Sequence, residues 1–232
     1  MINILIFSPH PDDAEISIGG FILLHANEYK IKIINLSAGE HSSNGDKIER
    51  LKESKFVENR YKNISTKCLF FEDANIQHTV IDQQKRIIRI IREYTPGVIL
   101  TSHYTDEHPD HFESYLLVKN ATYKAGLNIY PELGEQHTCK YLFFYSQNLY
   151  NGKGSMFIDI SSVIEEKLNI LSKYRSQLIQ DNSRVKTYSN TRIFQKVLAK
   201  DKYCGSLINT DYAEEIISYK KITIKNIFDI VF

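Results

Sequence analysis

No run of apolar residues in this 232-residue chain approaches the roughly 18 that a membrane-spanning helix needs. The first residues, Met1–Phe7, pass straight into an apolar stretch and reach His10 with no basic region and no small-residue cleavage site, so no secretory leader is expected. Cysteine is scarce: Cys68, Cys139 and Cys204 are odd in number and far apart. That excludes a disulfide framework or a CxxC metal site and suits buried free thiols in a reducing compartment. Charge of one sign is also lacking, since 29 Lys and Arg nearly cancel 28 Asp and Glu for a net charge of +1. With no basic stripe interleaved with aromatics, neither nucleic acid nor an anionic membrane is an expected partner. There is no GxGxxG after the first apolar run, no P-loop and no GxSxG elbow, so neither a nucleotide cofactor nor a serine nucleophile of that type is indicated. No repeat, low-complexity tract or linker interrupts the chain. A single cytoplasmic domain over residues 1–232 is expected, with self-association left open.

What the chain does have is the triplet His-Pro-Asp, twice. The first copy reads Phe7-Ser8-Pro9-His10-Pro11-Asp12-Asp13, and the second reads Thr105-Asp106-Glu107-His108-Pro109-Asp110-His111. Each follows a short apolar run, 2–7 and 98–101, of the kind that fits a strand buried on both faces of a parallel sheet. Further strands are expected at 31–36, 67–71, 140–145, 156–160 and 222–228. Helices are expected at 14–28, 47–62, 81–94, 112–125 and 191–203, and a long one, capped by Ser161, carries Ile164, Leu168, Leu171, Tyr174 and Leu178 on one face. Residues 37–46 and 181–188 suit loops. Gly19-Gly20 inside the first helix costs propensity, and close packing against the first strand is the expected return. Strand–helix alternation predicts an α/β sandwich with a mainly parallel sheet. In such sheets ligands bind beyond the carboxyl ends of the strands, where both triplets lie.

A histidine and an aspartate three residues apart, His10 and Asp13, can face one ion from a turn stiffened by Pro9 and Pro11. His108 and His111 have the same spacing. Three protein ligands and a water are usual for catalytic zinc, and His10, Asp13 and His111 would supply that set. Fe(II), Co(II) or Mn(II) would fit the same donors. Asp12, beside a ligand, is the natural base, and His108 could stabilise an oxyanion with Asp110 orienting its ring and raising its pKa. The inventory suits metal-assisted amide hydrolysis. Glu40 ends the second strand and faces the same region, though a simple turn would also account for Gly39-Glu40. Arg50 and Glu53 are a helical i, i+3 pair that a surface ion pair would explain. His103 suits the core or an outer layer of the site. His25, His41, His78 and His137 have no partner pattern. Some of the many tyrosines could line a sugar site, though core and surface roles explain most of them.

Ser8-Pro9-His10-Pro11-Asp12-Asp13-Ala14-Glu15 with Gly19-Gly20, and Asp106-Glu107-His108-Pro109-Asp110-His111, resemble the two signature motifs of the PIG-L or LmbE-like de-N-acetylases. Leu36–Glu40, Arg50-Leu51-Lys52-Glu53, Phe157–Ser161, Lys167, Ser176-Gln177 and Tyr212-Ala213-Glu214 extend the resemblance over most of the chain. It implies a Rossmann-like three-layer fold and removal of an N-acetyl group from an amino sugar, nucleotide sugar or glycoconjugate. It also implies zinc on His10, Asp13 and His111, Asp12 as base, His108 and Asp110 assisting, and Glu40 and Arg50 near the substrate. The chain departs from the family pattern at Ser37-Ala38 and at Tyr61–Ile64, around the substrate rather than the metal. Two rivals remain: an amidase of the same scaffold acting on a larger acyl or thiol conjugate, and a catalytically silent sugar-binding protein.

Overall fold

The computed structural model describes residues 2–147, 154, 156–178, 185–186 and 192–220. Five parallel strands form the central sheet: β1 (Ile4–Ser8), β2 (Ile31–Ser37), β3 (Ile64–Phe71), β4 (Val98–Ser102) and β5 (Tyr141–Tyr145), in the order β3-β2-β1-β4-β5. β1 explains why an unbroken apolar run is needed. Ile4 and Ile6 join the core on one face, with Val57, Ile170 and Val197, while Leu5 and Phe7 join the core on the other, with Ile87, Ile91 and Leu117. Helices α1 (Asp13–His25) and α2 (Lys47–Arg60) thus lie across the sheet from α3 (Ile81–Tyr94) and α4 (Pro109–Ala125). This is the expected three-layer α/β sandwich. The strand order reverses between β1 and β4, the place where a crevice opens at the carboxyl ends. Both His-Pro-Asp loops leave the sheet there.

The C-terminal half has the expected strands near 140–145 and 156–160 and the expected helix near 191–203, and differs elsewhere. The helix anticipated from Ser161 to Leu178 is broken into a 3-10 turn at Ser161–Val163, α5 (Ile164–Leu171) and a short α6 (Arg175–Leu178). Ser161 is not its cap: its hydroxyl donates to Asp159 Oδ1 at 2.6 Å and accepts the Tyr212 N–H at 3.1 Å. α7 (Ile193–Leu207) follows, and β6 (Met156–Asp159) pairs antiparallel with β7 (Ala213–Ile216), a strand that periodicity does not mark. The strand expected at 222–228, and all of the 181–188 loop except Val185 and Lys186, lie outside the described residues. α4 begins at Pro109, three residues before the expected start, because a proline at the first helical position is favourable. β3 begins at Ile64 rather than Lys67.

Gly19 and Gly20 do not serve contact with β1. A Cβ on Gly20 would meet Ile160 Cγ2 at 2.5 Å, and one on Gly19 would meet Lys167 Cγ at 3.2 Å. α1 departs from helical geometry at Ile18 (φ −137°, ψ 31°). Beyond that kink, the Gly20 and Phe21 N–H groups donate to the two oxygens of Glu214 at 2.7 Å. Glu214 also pairs with Lys167 Nζ at 2.7 Å, and Lys167 with Asp201 at 2.6 Å, all three buried. A carboxylate from β7 therefore caps the second half of α1 and locks the C-terminal elements onto the helix that begins at Asp13. Among the described residues no helix is long and apolar enough to cross a membrane, and Cys68, Cys139 and Cys204 are free, with Cys68 only half-buried.

Candidate metal centre

The two triplets are identical in sequence and different in structure. In the second, His108 is the N-cap of α4, with Pro109 and Asp110 in the first turn, and its Nδ1 accepts the Asp110 N–H at 3.2 Å. In the first, the N-cap is Asp12, with φ 108° and ψ −30° and no capping bond from its side chain. That backbone is open chiefly to glycine and costs on the order of 1–3 kcal/mol for other residues. Its surroundings hold it there. Ser8 Oγ donates to His10 O at 2.7 Å, the Ser37 N–H donates to Pro9 O at 3.0 Å, and Arg50 Nη2 donates to Pro11 O at 3.1 Å. Arg50 also reaches Asp12 Oδ1 at 3.4 Å and Gly39 O at 2.9 Å. It is therefore a buried brace of the loop and not the surface partner of Glu53, which instead accepts from Ser176. Gly39 makes room for it: φ is +68°, and a Cβ there would fall 1.7 Å from Arg50 Nη1.

Asp13 Oδ2 lies 3.1 Å from His10 Nδ1 and 3.1 Å from His111 Nε2. These three buried residues form a set of ligand atoms within 4.8 Å of one another that could hold a metal ion. Tetrahedral zinc with bonds near 2.0–2.1 Å sets neighbouring ligand atoms ~3.4 Å apart, so the donor types and spacing fit such an ion. His10, His108 and Asp110 form a second set, but it shares His10 with the first. His10 turns one nitrogen to Asp13 and the other, Nε2, to Asp110 Oδ2 at 3.0 Å and Asp73 Oδ1 at 3.0 Å. His111 does the same, with Nδ1 2.9 Å from Asp106 Oδ2. An imidazole that ligates through one nitrogen and is held by a carboxylate through the other is the usual support of a metal site, so Asp110, Asp73 and Asp106 form an outer ring of carboxylates.

This corrects one half of the expected partnership of Asp110 with His108, the orientation of the ring by the carboxylate. The Asp110 carboxylate accepts from His10 and from the Ala74 N–H at 2.9 Å, and it is its backbone N–H that donates to the His108 ring. The His108 pKa is lowered on balance, first by burial and then by the charges of His111 and His10, while Asp13 and Asp110 act to raise it. Because Nδ1 accepts, the neutral ring carries its proton on Nε2 and is a donor in that form. Burial pushes Asp12 up to about 7 against the opposing charge of Arg50, with Asp13 adding to the rise. Burial opposes protonation of His111, but Asp13 and Asp106 carry it to about 9. Burial likewise resists ionisation of Asp13, yet His111 and His10 hold it well below the usual carboxylate range. Glu40 accepts the Asp73 N–H at 3.2 Å and the Ser37 hydroxyl at 3.3 Å, so it joins the ends of β2 and β3. Sequence reasoning gives no role to Asp73, Asp106 or Gln147, whose side-chain amide donates to Asp13 Oδ1. Asp73 and Gln147 each lie just past the carboxyl end of a parallel strand, the one signal that could have marked them.

The family model described as PIG-L, GlcNAc-PI de-N-acetylase, matches residues 5–122. A diacetylchitobiose deacetylase from Thermococcus kodakarensis is 28% identical over 196 residues, covering 77% of this chain and 71% of its own. Among solved structures, the conserved protein TT1542 from Thermus thermophilus superposes with a TM-score of 0.84 at 29% identity, over 97% of both chains. GalB, a 4-carboxy-2-hydroxymuconate hydratase from Pseudomonas putida, superposes with a TM-score of 0.78 at 18% identity, over 98% of this chain and 100% of its own. That last likeness is one of fold alone, and it shows that the fold does not by itself choose the reaction.

Proposed function

Since this chain belongs to the PIG-L family, we propose that it is a metal-dependent hydrolase that removes the N-acetyl group of an amino sugar or sugar conjugate. The diacetylchitobiose deacetylase relative supports the substrate class. The observation that carries the chemistry is the convergence of His10, Asp13 and His111 on one point, with the strained, raised-pKa carboxyl of Asp12 beside it. Those three residues would hold the ion, and the donor set suits zinc, with Fe(II), Co(II) or Mn(II) as alternatives. A divalent ion bound there supplies Lewis acidity toward an acetamide carbonyl and makes water acidic enough to act as nucleophile near neutral pH.

The chain's own residues do the rest. Asp12 Oδ1 is held by Arg50, which leaves its other oxygen to take a proton from the attacking water. The same carboxyl is placed to return the proton to the departing amine. His108 donates from Nε2 to the carbonyl oxygen as negative charge develops on it. Asp110, Asp73 and Asp106 fix the ring planes of His10 and His111. Water adds to the acetyl carbon, the C–N bond breaks, and acetate and a free amino sugar leave. Glu40 and Arg50 contribute to the substrate side by shaping the loops at the ends of β1, β2 and β3.

Acetate release should be assayed over a panel of N-acetylated monosaccharides, oligosaccharides and nucleotide sugars, with protein stripped by chelator and then reloaded. The expected result is turnover only after reloading. Turnover by stripped protein, or of bulky N-acyl amides alone, would overturn the proposal.

A further inference from the structure

Among the described residues, five rings gather beyond the carboxyl end of β4, outside the ion cluster. His103 follows the strand directly, and its N–H donates to Tyr145 O at 2.8 Å. Its ring centroid lies 4.4 Å from Tyr104 and 5.7 Å from Tyr219, and 6.2 Å from both Tyr115 and Phe144. Tyr115, Phe144 and Ile217 are buried and make a small apolar floor. Above it Tyr104 and Tyr219 remain 43% and 49% exposed, their rings inclined by only 28° with centroids 6.4 Å apart. Burial drives His103 down to about 4, so the ring is neutral near pH 7. It bonds Thr105 Oγ1 through Nδ1 at 2.7 Å and the Tyr219 hydroxyl through Nε2.

Two half-exposed tyrosines over an apolar floor are, by themselves, an ordinary surface. Three features go further. Tyr219 is tethered through its hydroxyl, which fixes the ring plane before any ligand arrives. The two exposed rings are nearly parallel. Tyr104 also lies in the loop that carries His108, four residues before it, so even a fully extended chain would separate their backbones by no more than ~14 Å. Half-exposed aromatic rings with hydroxyls at their rims suit a partner that is apolar on one face and polar at its edge. A pyranose ring has that form.

We infer that Tyr104 and Tyr219 form a stacking subsite for a sugar ring beyond the one that bears the acetamide, so that the preferred substrate has at least two rings. The inference rests on the amide hydrolysis proposed above. Tyr104 and Tyr219 touch no reacting atom and set length preference instead.

The test compares kcat/KM for triacetylchitotriose and N-acetylglucosamine in the wild type, Tyr104→Ala, Tyr219→Ala and Tyr104→Phe. Wild type should prefer the trisaccharide. Each alanine variant should lose about five- to tenfold on it, the order expected for one aromatic contact, mainly through KM, with the monosaccharide unchanged. Tyr104→Phe should behave as wild type. Equal losses on both sugars, or no loss on either, would overturn the subsite. A second arm uses saturation-transfer NMR with chitotriose, which carries no acetamide. Ring-proton signals should be present with wild type and lost with Tyr104→Ala; their absence in wild type or survival in the variant also overturns it. If wild type hydrolyses neither acetylated sugar, the proposed activity fails, and the NMR arm still decides the subsite.

Discussion

Replacing Asp110 by asparagine separates two roles that its place beside His108 had merged. If the carboxylate orients His10, the variant should bind metal less tightly; if it assists His108, the variant should bind metal normally and turn over slowly. The carboxylate accepts from His10 Nε2 at 3.0 Å and from the Ala74 N–H at 2.9 Å through Oδ2, and from the Ile76 N–H at 3.4 Å through Oδ1. Asparagine has one acceptor where aspartate has two, so its amide must face a donor on one side. It also loses the charge that makes the His10 bond worth about 1.5–3 kcal/mol. Asp73 Oδ1 stands 3.0 Å from the same nitrogen and retains part of that stabilisation. A loss of about 1.5–2 kcal/mol remains, which is about 10- to 30-fold in metal affinity. Competition with a chromophoric chelator at pH 7 measures it. The expected result is a dissociation constant raised by that factor, with kcat recovered to within severalfold at saturating metal. Asp73→Asn should compound with it more than additively, since both act on one nitrogen. An unchanged metal affinity with kcat reduced ~100-fold would refute the reasoning and return Asp110 to His108.

Three further outcomes follow from named contacts. Asp12→Ala should keep its metal and lose about 10²–10⁴ in kcat, the usual contribution of a general base; Asp12→Gly should be as inactive but melt higher, because glycine accepts φ 108° without strain, and metal loss in either variant would count against the assignment. Gly39→Ala should destabilise by about 2–4 kcal/mol, since the new Cβ would lie 1.7 Å from Arg50 Nη1 in a left-handed backbone; calorimetry should show a melting temperature lower by on the order of 5–15 °C. Lys167→Met should cost about 3–5 kcal/mol, because it leaves Asp201 and Glu214 buried without their cation. Burial opposes the Lys167 charge, but Glu214 and Asp201 raise its pKa above the ordinary value. Its contribution is therefore complete below about pH 10.4 and lost only as pH rises through the folded-state pKa, so denaturant midpoints of wild type and variant should differ throughout the neutral range and converge only in strong alkali.

The sheet was legible because burial on both faces writes itself locally. Ile4–Phe7 needs four consecutive apolar residues to serve two cores, and the 3.6-residue period of Ile87, Ile90 and Ile91 needs only one helix face. In the C-terminal half β5, β6 and α7 were legible, and the rest was not, for the opposite reason. Glu214 sits in β7 to cap a kink in α1, across 194 residues of sequence, and a strand containing two glutamates carries no apolar alternation. Lys167, periodic with nothing, is fully buried because it answers that carboxylate and Asp201. Arg92 is similar: it donates to the carbonyls of Ala125, Leu127, Ile129, Tyr130 and Gly134, organising the whole turn after α4, yet within α3 it looks like any surface arginine.

The same division runs through the candidate site. His10, Asp13 and His111 could be found because each lies within three residues of another polar group in a turn, whereas the carboxylates that aim the rings come from elsewhere in the fold. Asp110 reaches His10 across 100 residues, and Asp73 reaches the same nitrogen from the end of β3. Spacing along the chain therefore marked the residues that converge and missed one contact of Asp110, which is near His108 in sequence but whose carboxylate accepts from His10. The repeated triplet follows the same logic. Histidine at the N-cap of α4 leaves His108 with a bound Nδ1 and a donor Nε2, while aspartate at the N-cap of α1 is held at φ 108° between His10 and Asp13 in the chain. A shift of register between a triplet and its helix turns the same three side chains into two different tools, and no rule of spacing distinguishes the two registers. What distinguishes them is Arg50, which braces the first loop from α2 and has no counterpart among the described contacts of the second.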